Sequence, residues 1–467
     1  MEADATALAS AIRSHEITAS EAMSASLNKL ADKKSLGSVV SFYPETGLAA
    51  AAEIDRALQD RTLKNAQVFC GVPSLAKDLG GPFKGLPVRA GSKIIPLDDQ
   101  LDSELAERFR KTGLCNLGTT TSPEFGLSLA SEPAIGPVCR NPLNPDLSAG
   151  GSSGGAASAV ASGIVSIAHA TDAGGSIRVP AACCGLIGLK PSRGAIPSGP
   201  YFTNHLGGIA SELAVCRSVR DTEAIFDAVS GGVKGPYPSP EQNVLEDGKL
   251  RIGMILETGE RFPTTSERLS AVQSAGQTLE ADGHELVLLD WSKIAHMVAV
   301  SGQVFTGIIT ANLATLAQET DWDFSKAEPI TQAAIDVGKN ISGIELWQLL
   351  NHMVLVSRDL WQIFEAFDCL LTPMLSSAPQ PIGSFPTDHD DINLHFERMA
   401  AFSPLSTLAN VSGFPALTMP FGEDANGLPL PIQFFAPMGC EKLLLKLAAR
   451  METELRWLHK HPIAGLN

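Results

Sequence analysis

The stretch Ser148-Ala149-Gly150-Gly151-Ser152-Ser153-Gly154-Gly155 holds seven glycine or serine residues in eight positions. An alanine-rich run, Ala156 to Ser162, follows at once, then the apolar segment Ile164 to Ala170. A second small-residue turn, Thr171-Asp172-Ala173-Gly174-Gly175-Ser176, leads into Ile177-Arg178-Val179-Pro180. The order reads turn, helix, strand, turn. Two such turns flanking one helix and one strand bring backbone amides and two serine hydroxyls to the same end of a sheet. Open α/β sheets place their ligands at such an end.

The same alternation continues on either side. Gln67-Val68-Phe69-Cys70 and Leu114-Cys115-Asn116-Leu117 are short apolar segments suited to buried strands, with a helical stretch, Ser103 to Thr112, between them. Further strands are expected at Ile164 to His169, Leu250 to Leu256 and Glu285 to Leu289. Residues 5 to 31 read as helical with a turn near His15, and Thr18 with Glu21 forms a capping box for a helix beginning near Ala19. Strands alternating with helices predict an α/β fold, a large mixed β-sheet covered by helices on both faces. Gly231 to Pro240 and Pro373 to Asp391 are irregular, yet neither brings a composition shift that would divide the chain. One large domain is expected, with residues beyond about 240 adding strands and helices around it.

Of the 467 residues, 44% are hydrophobic and 18% charged, enough apolar material for a large core and too much for wholesale disorder. Thirty-five Lys+Arg face 51 Asp+Glu, a formal charge of -16. That excess repels phosphate backbones and anionic lipid, so neither nucleic acid nor a membrane is expected as a partner. No run reaches the ~18 to 20 uninterrupted apolar residues of a bilayer span. The opening Met1-Glu2-Ala3-Asp4 shows no basic segment followed by an apolar one, so no signal peptide is expected. The eight cysteines are scattered without a CxxC pair, a pattern of buried thiols in a reducing cytoplasm. The histidines show no HxxxH spacing, and no metal centre is expected. The chain reads as a soluble, cytoplasmic enzyme.

Three chemistries compete for the first turn. A flexible linker fits its composition but not its position against a tight helix. A phosphate cradle would use glycine amides at a helix N-terminus, yet the Lys-[Ser/Thr] ending of a P-loop is missing. A catalytic turn would use small residues for close backbone approach around a constrained hydroxyl. The second turn favours catalysis, because Ala173-Gly174-Gly175-Ser176 presents successive N–H groups around one hydroxyl, as an oxyanion hole requires. An alkoxide nucleophile then needs a base within reach. His169 falls inside an apolar strand, where a satisfied core histidine is expected. A buried lysine is the other option, since desolvation disfavours its charged form.

Gly150 to Gly155, Thr171 to Arg178 and Gly185-Leu186-Ile187-Gly188-Leu189-Lys190-Pro191 together resemble the signature of the amidase signature family. Upstream, Gly71-Val72-Pro73-Ser74-Leu75-Ala76-Lys77-Asp78 is similar to the family's lysine motif, and Ser122-Pro123-Glu124-Phe125-Gly126 and Arg140-Asn141-Pro142 match as well. Downstream, Leu371-Thr372-Pro373 and Asn410-Val411-Ser412-Gly413-Phe414-Pro415-Ala416 continue the resemblance. It implies one domain over residues 1–467, densest in motifs at about 70–200, with about 240–400 shaping the substrate site.

The resemblance also implies a Ser-Ser-Lys triad that works without metal or cofactor. Ser176, 24 residues after Ser152, would be the nucleophile. Ser152, joined to Gly151 by a cis peptide, would bridge to Lys77, which is neutral at rest and draws the Ser176 proton through Ser152. The backbone N–H groups of Ala173, Gly174, Gly175 and Ser176 would form the oxyanion hole. Asp172 and Arg178 are expected to brace the turns, Ser153 to cap the following helix, and Cys183 and Cys184 to pack as small hydrophobes.

The family hydrolyses carbon–nitrogen bonds of amides through an acyl-enzyme. Gly199 to His205 and Glu212 to Asp221 look most similar to the branch of 6-aminohexanoate cyclic-dimer hydrolases and broad-range amidases. This implies a small aryl, cyclic or carbamate (urethane) substrate, with esters also accepted, and Tyr201, Phe202 and Phe305 lining an apolar pocket. A homodimer is allowed for. Two alternatives stay open. One is the A subunit of a glutamine-dependent aminoacyl-tRNA amidotransferase, with Arg358 reading the glutamine carboxylate. The other is a non-catalytic phosphate-binding scaffold.

Overall fold

The computed structural model describes residues 3–63, 67–98, 101–197, 205–242 and 248–466. Within them the predicted alternation becomes a mixed sheet of 11 strands flanked by helices, in a single domain. The first half supplies β1 (Val39–Phe42), β2 (Pro73–Lys77), β3 (Cys115–Thr120), a separate ribbon of β4 (Arg140–Asn141) and β5 (Asn144–Ser148), and β6 (Ile167–Asp172). Then come β7 (Ile187–Lys190), β8 (Ser211–Cys216), β9 (Arg251–Met254) and β10 (Glu285–Leu288). The last three are β11 (Cys369–Pro373), β12 (Ala416–Glu423) and β13 (Pro429–Phe435). Across the sheet the order is β1-β3-β2-β6-β8-β7-β12-β13-β11-β9-β10.

β2 runs parallel to both β3 and β6, and β9 runs parallel to β10 and β11; the remaining neighbours are antiparallel. Parallel strands covered on both faces bury every side chain, and β2, β3 and β6 are buried along their whole length. They end at Lys77, Thr120 and Asp172, and Lys77 pairs in register with Thr120. Their C-terminal ends therefore form one rim of the sheet. The helix Gly154–Ala161 packs on β2, β3 and β6 and is buried on all sides. Its small residues are required by close approach: a Cβ on Gly155 would lie 2.3 Å from the Thr121 amide nitrogen.

Local signals hold at the helix starts. Thr18 and Glu21 close the capping box of Ala19–Asp32, and Ser103 caps Glu104–Lys111. Two strand expectations shift. Gln67 to Cys70 forms a turn, Gly71 follows at φ +74°, and pairing begins only at Pro73. An apolar run of four residues has no periodicity that separates a buried turn from a strand. β6 likewise starts at Ile167 rather than Ile164.

A second apolar cluster lies among the helices Ala295–Glu319, Pro329–Lys339, Gly343–Phe364 and Ser406–Ser412. Ala295–Glu319 is long and apolar enough to cross a membrane by length and composition, which a count of uninterrupted apolar residues misses. Half of its most apolar window is buried against these neighbours, as in a core helix. Phe305 and Phe396 touch both this cluster and the sheet core. Near the C-terminus, His459 and His461 bond to different carbonyls, those of Arg217 and Pro142.

Candidate active site

Lys77 closes β2, so its side chain reaches the rim while remaining 1% exposed. Its Nζ lies 2.8 Å from Ser152 Oγ and 2.7 Å from Thr171 Oγ1. Burial pushes its pKa down to about 7, against the upward pull of the Asp172, Glu212 and Asp78 carboxylates. An amine with that pKa is substantially neutral near pH 7 and can accept a proton. The Lys77 backbone N–H donates to His169 Nδ1 at 3.2 Å, so the ring proton sits on Nε2, which donates to Glu212 Oε2 at 2.8 Å. Phe83 and Phe109 wall the ring. His169 is thus a satisfied core histidine that ties β2 to β6 and β8.

The Gly151–Ser152 peptide is cis, as the resemblance implies. Ser131 Oγ donates to Ser152 O at 3.0 Å and accepts from the Gly154 N–H at 2.9 Å, holding the turn from outside. The Ser122-to-Gly126 segment borders the same place, since a Cβ on Gly126 would lie 3.3 Å from Ser152 Oγ. Ser153 does not cap the helix that follows it. Its hydroxyl donates to Thr171 O at 3.2 Å and accepts from the Thr171 N–H at 3.3 Å, which stitches the first turn to the second.

The second turn is organised by Asp172. Its Oδ1 accepts from the Gly175 N–H at 2.7 Å, which corrects the expectation that this amide belongs to the oxyanion hole, because its hydrogen is already donated. Its Oδ2 accepts from the Ile177 N–H at 3.2 Å. Arg178 pairs with both oxygens, Nε to Oδ2 at 3.0 Å and Nη2 to Oδ1 at 3.1 Å. Burial raises the Asp172 pKa, but the Arg178 guanidinium and the Asn410 amide outweigh it and hold the carboxyl well below its usual range. Asn410 Nδ2 donates to both Asp172 O and Oδ1 at 2.9 Å, and Arg178 continues to Gln433 Oε1 at 2.8 Å and Ser406 O at 2.9 Å. The expected brace is present. Ser176 follows this turn, buried, just before the helix Arg178–Cys184. Gly175 sits at φ +112°, where a Cβ would lie 2.8 Å from Ser406 Cβ.

Phe305 lies against the second turn: a Cβ on Gly174 would stand 2.7 Å from Phe305 Cε2. Its ring meets Phe396 edge-on, centroids 5.6 Å apart. Tyr201 and Phe202 lie outside the described residues. Arg358 is exposed on the helix Gly343–Phe364. Cys183 and Cys184 are buried, and burial pushes the Cys183 thiol up to about 12, which leaves it a packed hydrophobe. Among the described residues no three His, Cys, Asp or Glu side chains are grouped to hold a metal ion. Sequence reasoning gave no role to Thr171, Asn410, Gln433 or Ser131. Thr171 and Asn410 did carry a signal, since both stand in the motifs on which the family resemblance rests.

The protein-family model described as Amidase matches residues 21–445. A putative amidase AmiC of Mycobacterium tuberculosis (strain ATCC 25618 / H37Rv) is 32% identical over 98% of this chain and 96% of its own. A 6-aminohexanoate-cyclic-dimer hydrolase of Paenarthrobacter ureafaciens is 31% identical, again over 98% and 96%. The solved structure of a 6-aminohexanoate cyclic dimer hydrolase complexed with substrate superposes with a TM-score of 0.87. It is 28% identical and covers 98% of each chain.

Proposed function

As the chain belongs to the amidase signature family and is an amidase acting on amide carbon–nitrogen bonds, we propose that it cleaves aryl, cyclic or carbamate substrates through a Ser-cisSer-Lys triad. Neutral Lys77 takes the Ser152 Oγ proton as Ser152 takes that of Ser176, whose Oγ attacks the carbonyl carbon. The new C–O bond leaves an oxyanion facing the amides of Ala173, Gly174 and Ser176, the Gly175 amide being held by Asp172. Collapse breaks the C–N bond while the proton returns from Lys77 through Ser152 to the leaving nitrogen. Water, deprotonated by the same relay, then releases the acid from the Ser176 ester.

One observation carries this reading: a fully buried lysine amine with a pKa near 7, 2.8 Å from the Ser152 hydroxyl. Two observations support the substrate class. A relative named 6-aminohexanoate-cyclic-dimer hydrolase aligns over 98% of the chain, and Phe305, backed by Phe396, stands beside the second turn. Both aromatics come from the region of about 240–400, which shapes the substrate site in this reading. Eight buried free thiols suit a cytoplasmic setting.

The test is a hydrolysis panel of glutamine, a simple aliphatic amide, an aryl anilide, an aryl carbamate and a cyclic amide, run on the wild type beside Ser176→Ala. Turnover of aryl, carbamate or cyclic members that vanishes in the variant is expected. Turnover of glutamine alone would transfer the chain to the amidotransferase reading, and wild-type rates in the variant would remove Ser176 from the mechanism.

A further inference from the structure

Phe125 adopts φ +49° and ψ +19°, the left-handed region that a side chain of its size rarely enters. Such a conformation lasts only where the surroundings over-determine it, and it collects at functional sites. Here it is held from two sides. The Phe125 N–H donates to Ala90 O at 2.8 Å, and Ala90 is itself at φ +49°. Asp78, the residue after Lys77, fixes that second loop by accepting from the Arg89 N–H at 2.7 Å and the Gly91 N–H at 3.0 Å. On the other flank the buried Glu124 carboxylate accepts from the Ser92 and Thr331 hydroxyls and, at 2.7 Å, from the Glu328 N–H. Glu328 closes the segment that carries Trp322 and Phe324. The result is a ladder of three rings. Phe125 stacks on Phe324, planes 23° apart and centroids 6.0 Å, and Phe324 meets Trp322 at 6.2 Å. All three are only partly buried, so each keeps apolar surface in contact with water.

We propose that this ladder is the subsite of the leaving amine and that it takes an aryl amine, an inference that rests on the triad relay proposed above. In that relay the proton reaches the leaving nitrogen from Ser152 Oγ, so the nitrogen must come within hydrogen-bond distance of that atom. Gly126, the neighbour of Phe125, borders it: a Cβ on Gly126 would stand 3.3 Å from Ser152 Oγ. A substituent on the nitrogen then runs along the Ser122-to-Gly126 segment toward Phe125. Phe305, by contrast, stands against the second turn, which leads to Ser176 and the acyl group it carries. The two aromatic groups thus belong to opposite ends of the scissile bond. An aryl ring suits the ladder because it can stack on, or meet edge-on, one of these rings at centroid distances of about 4.5–7 Å, which an alkyl chain cannot do.

Three amides test the subsite on the full chain. Acetanilide and N-butylacetamide share the acyl group and differ in the amine, and N-butylbenzamide moves the ring to the acyl side. In Phe324→Leu and Trp322→Ala the kcat/KM ratio of acetanilide to N-butylacetamide should fall about 3- to 10-fold from its wild-type value, the size of one lost aromatic contact. The ratio of N-butylbenzamide to N-butylacetamide should hold. Aniline, the free leaving amine, should inhibit N-butylacetamide hydrolysis with a Ki raised by the same factor. Phe125 is left in place because a substitution there would also disturb the backbone beside Ser152. An unchanged anilide ratio, or a loss in the benzamide ratio instead, would overturn the subsite and leave the triad standing. A wild type that cleaves none of the three would overturn the subsite together with the aryl reading of the substrate.

Discussion

Thr171 Oγ1 stands 2.7 Å from Lys77 Nζ, on the neighbouring strand of a parallel pair. In the proposed relay the threonine accepts an amine hydrogen there, which turns the nitrogen lone pair toward Ser152 Oγ on its other side. Thr171→Val keeps the shape and deletes the acceptor. We expect kcat to fall about 10- to 100-fold, the equivalent of ~1.5–3 kcal/mol for a hydrogen bond to this group, with KM little changed. Thr171→Ser should retain most of the rate. Equal rates in the valine variant and the wild type would reduce Thr171 to a space-filling role.

In the proposed triad the pKa of Lys77 sets the pH dependence of turnover. Burial lowers it to about 7, so the amine is protonated and inactive as a base below that value and becomes competent above it. kcat/KM should therefore rise between about pH 6 and 8 and then level off. Lys77→Ala should lose about 10²- to 10⁴-fold, and its residual rate should lack that acid limb. An acid limb persisting near 7 in the variant would assign the titration elsewhere.

The Asp172–Arg178 pair is fully buried, and removing one partner strands the other charge. Asp172→Asn should destabilise the fold by about 3–5 kcal/mol, seen as a lower denaturation midpoint, together with loss of turnover as the second turn loosens. Asn410→Ala should act in the same direction by a smaller amount, since its amide anchors the same carboxylate. A midpoint unchanged in Asp172→Asn would show that the pair is not what holds the turn.

Gly174 and Phe305 should be energetically coupled. A methyl on Gly174 would stand 2.7 Å from the Phe305 ring, so Gly174→Ala must displace one or the other, and kcat should drop. Phe305→Ala alone should raise KM for aryl substrates about 3- to 10-fold, in line with ~0.5–1.5 kcal/mol for an aromatic contact. The double variant should recover part of the kcat lost in Gly174→Ala. Strict additivity in this cycle would show that the ring does not press on the turn.

The features legible in the sequence are those that a few adjacent residues decide. Small residues cluster at 148–155 and 171–176 because the backbone there approaches other chain segments closely, as at Gly155 and Gly175. The Thr18–Glu21 capping box is likewise a local matter. The errors arose where local pattern was ambiguous. Gln67 to Cys70 is as apolar as a buried strand but turns, and Ser153 looks like a helix cap but spends its hydroxyl on Thr171. Tyr201 and Phe202 lie outside the described residues.

By itself the sequence determined the alternation of strands and helices, the two turns, and the identity of the lysine and serines that the family resemblance singles out. These follow from side-chain size, periodicity and order along the chain. Only the tertiary structure decided that Lys77 is buried beside Ser152 and Thr171, 75 and 94 positions away. It alone placed Asn410 and Gln433 against the pair they brace, 238 and 255 positions from Asp172 and Arg178 respectively. The physical reason is desolvation. A lysine becomes a base near pH 7 when the fold removes its water, and no local stretch of chain can do that to its own side chain.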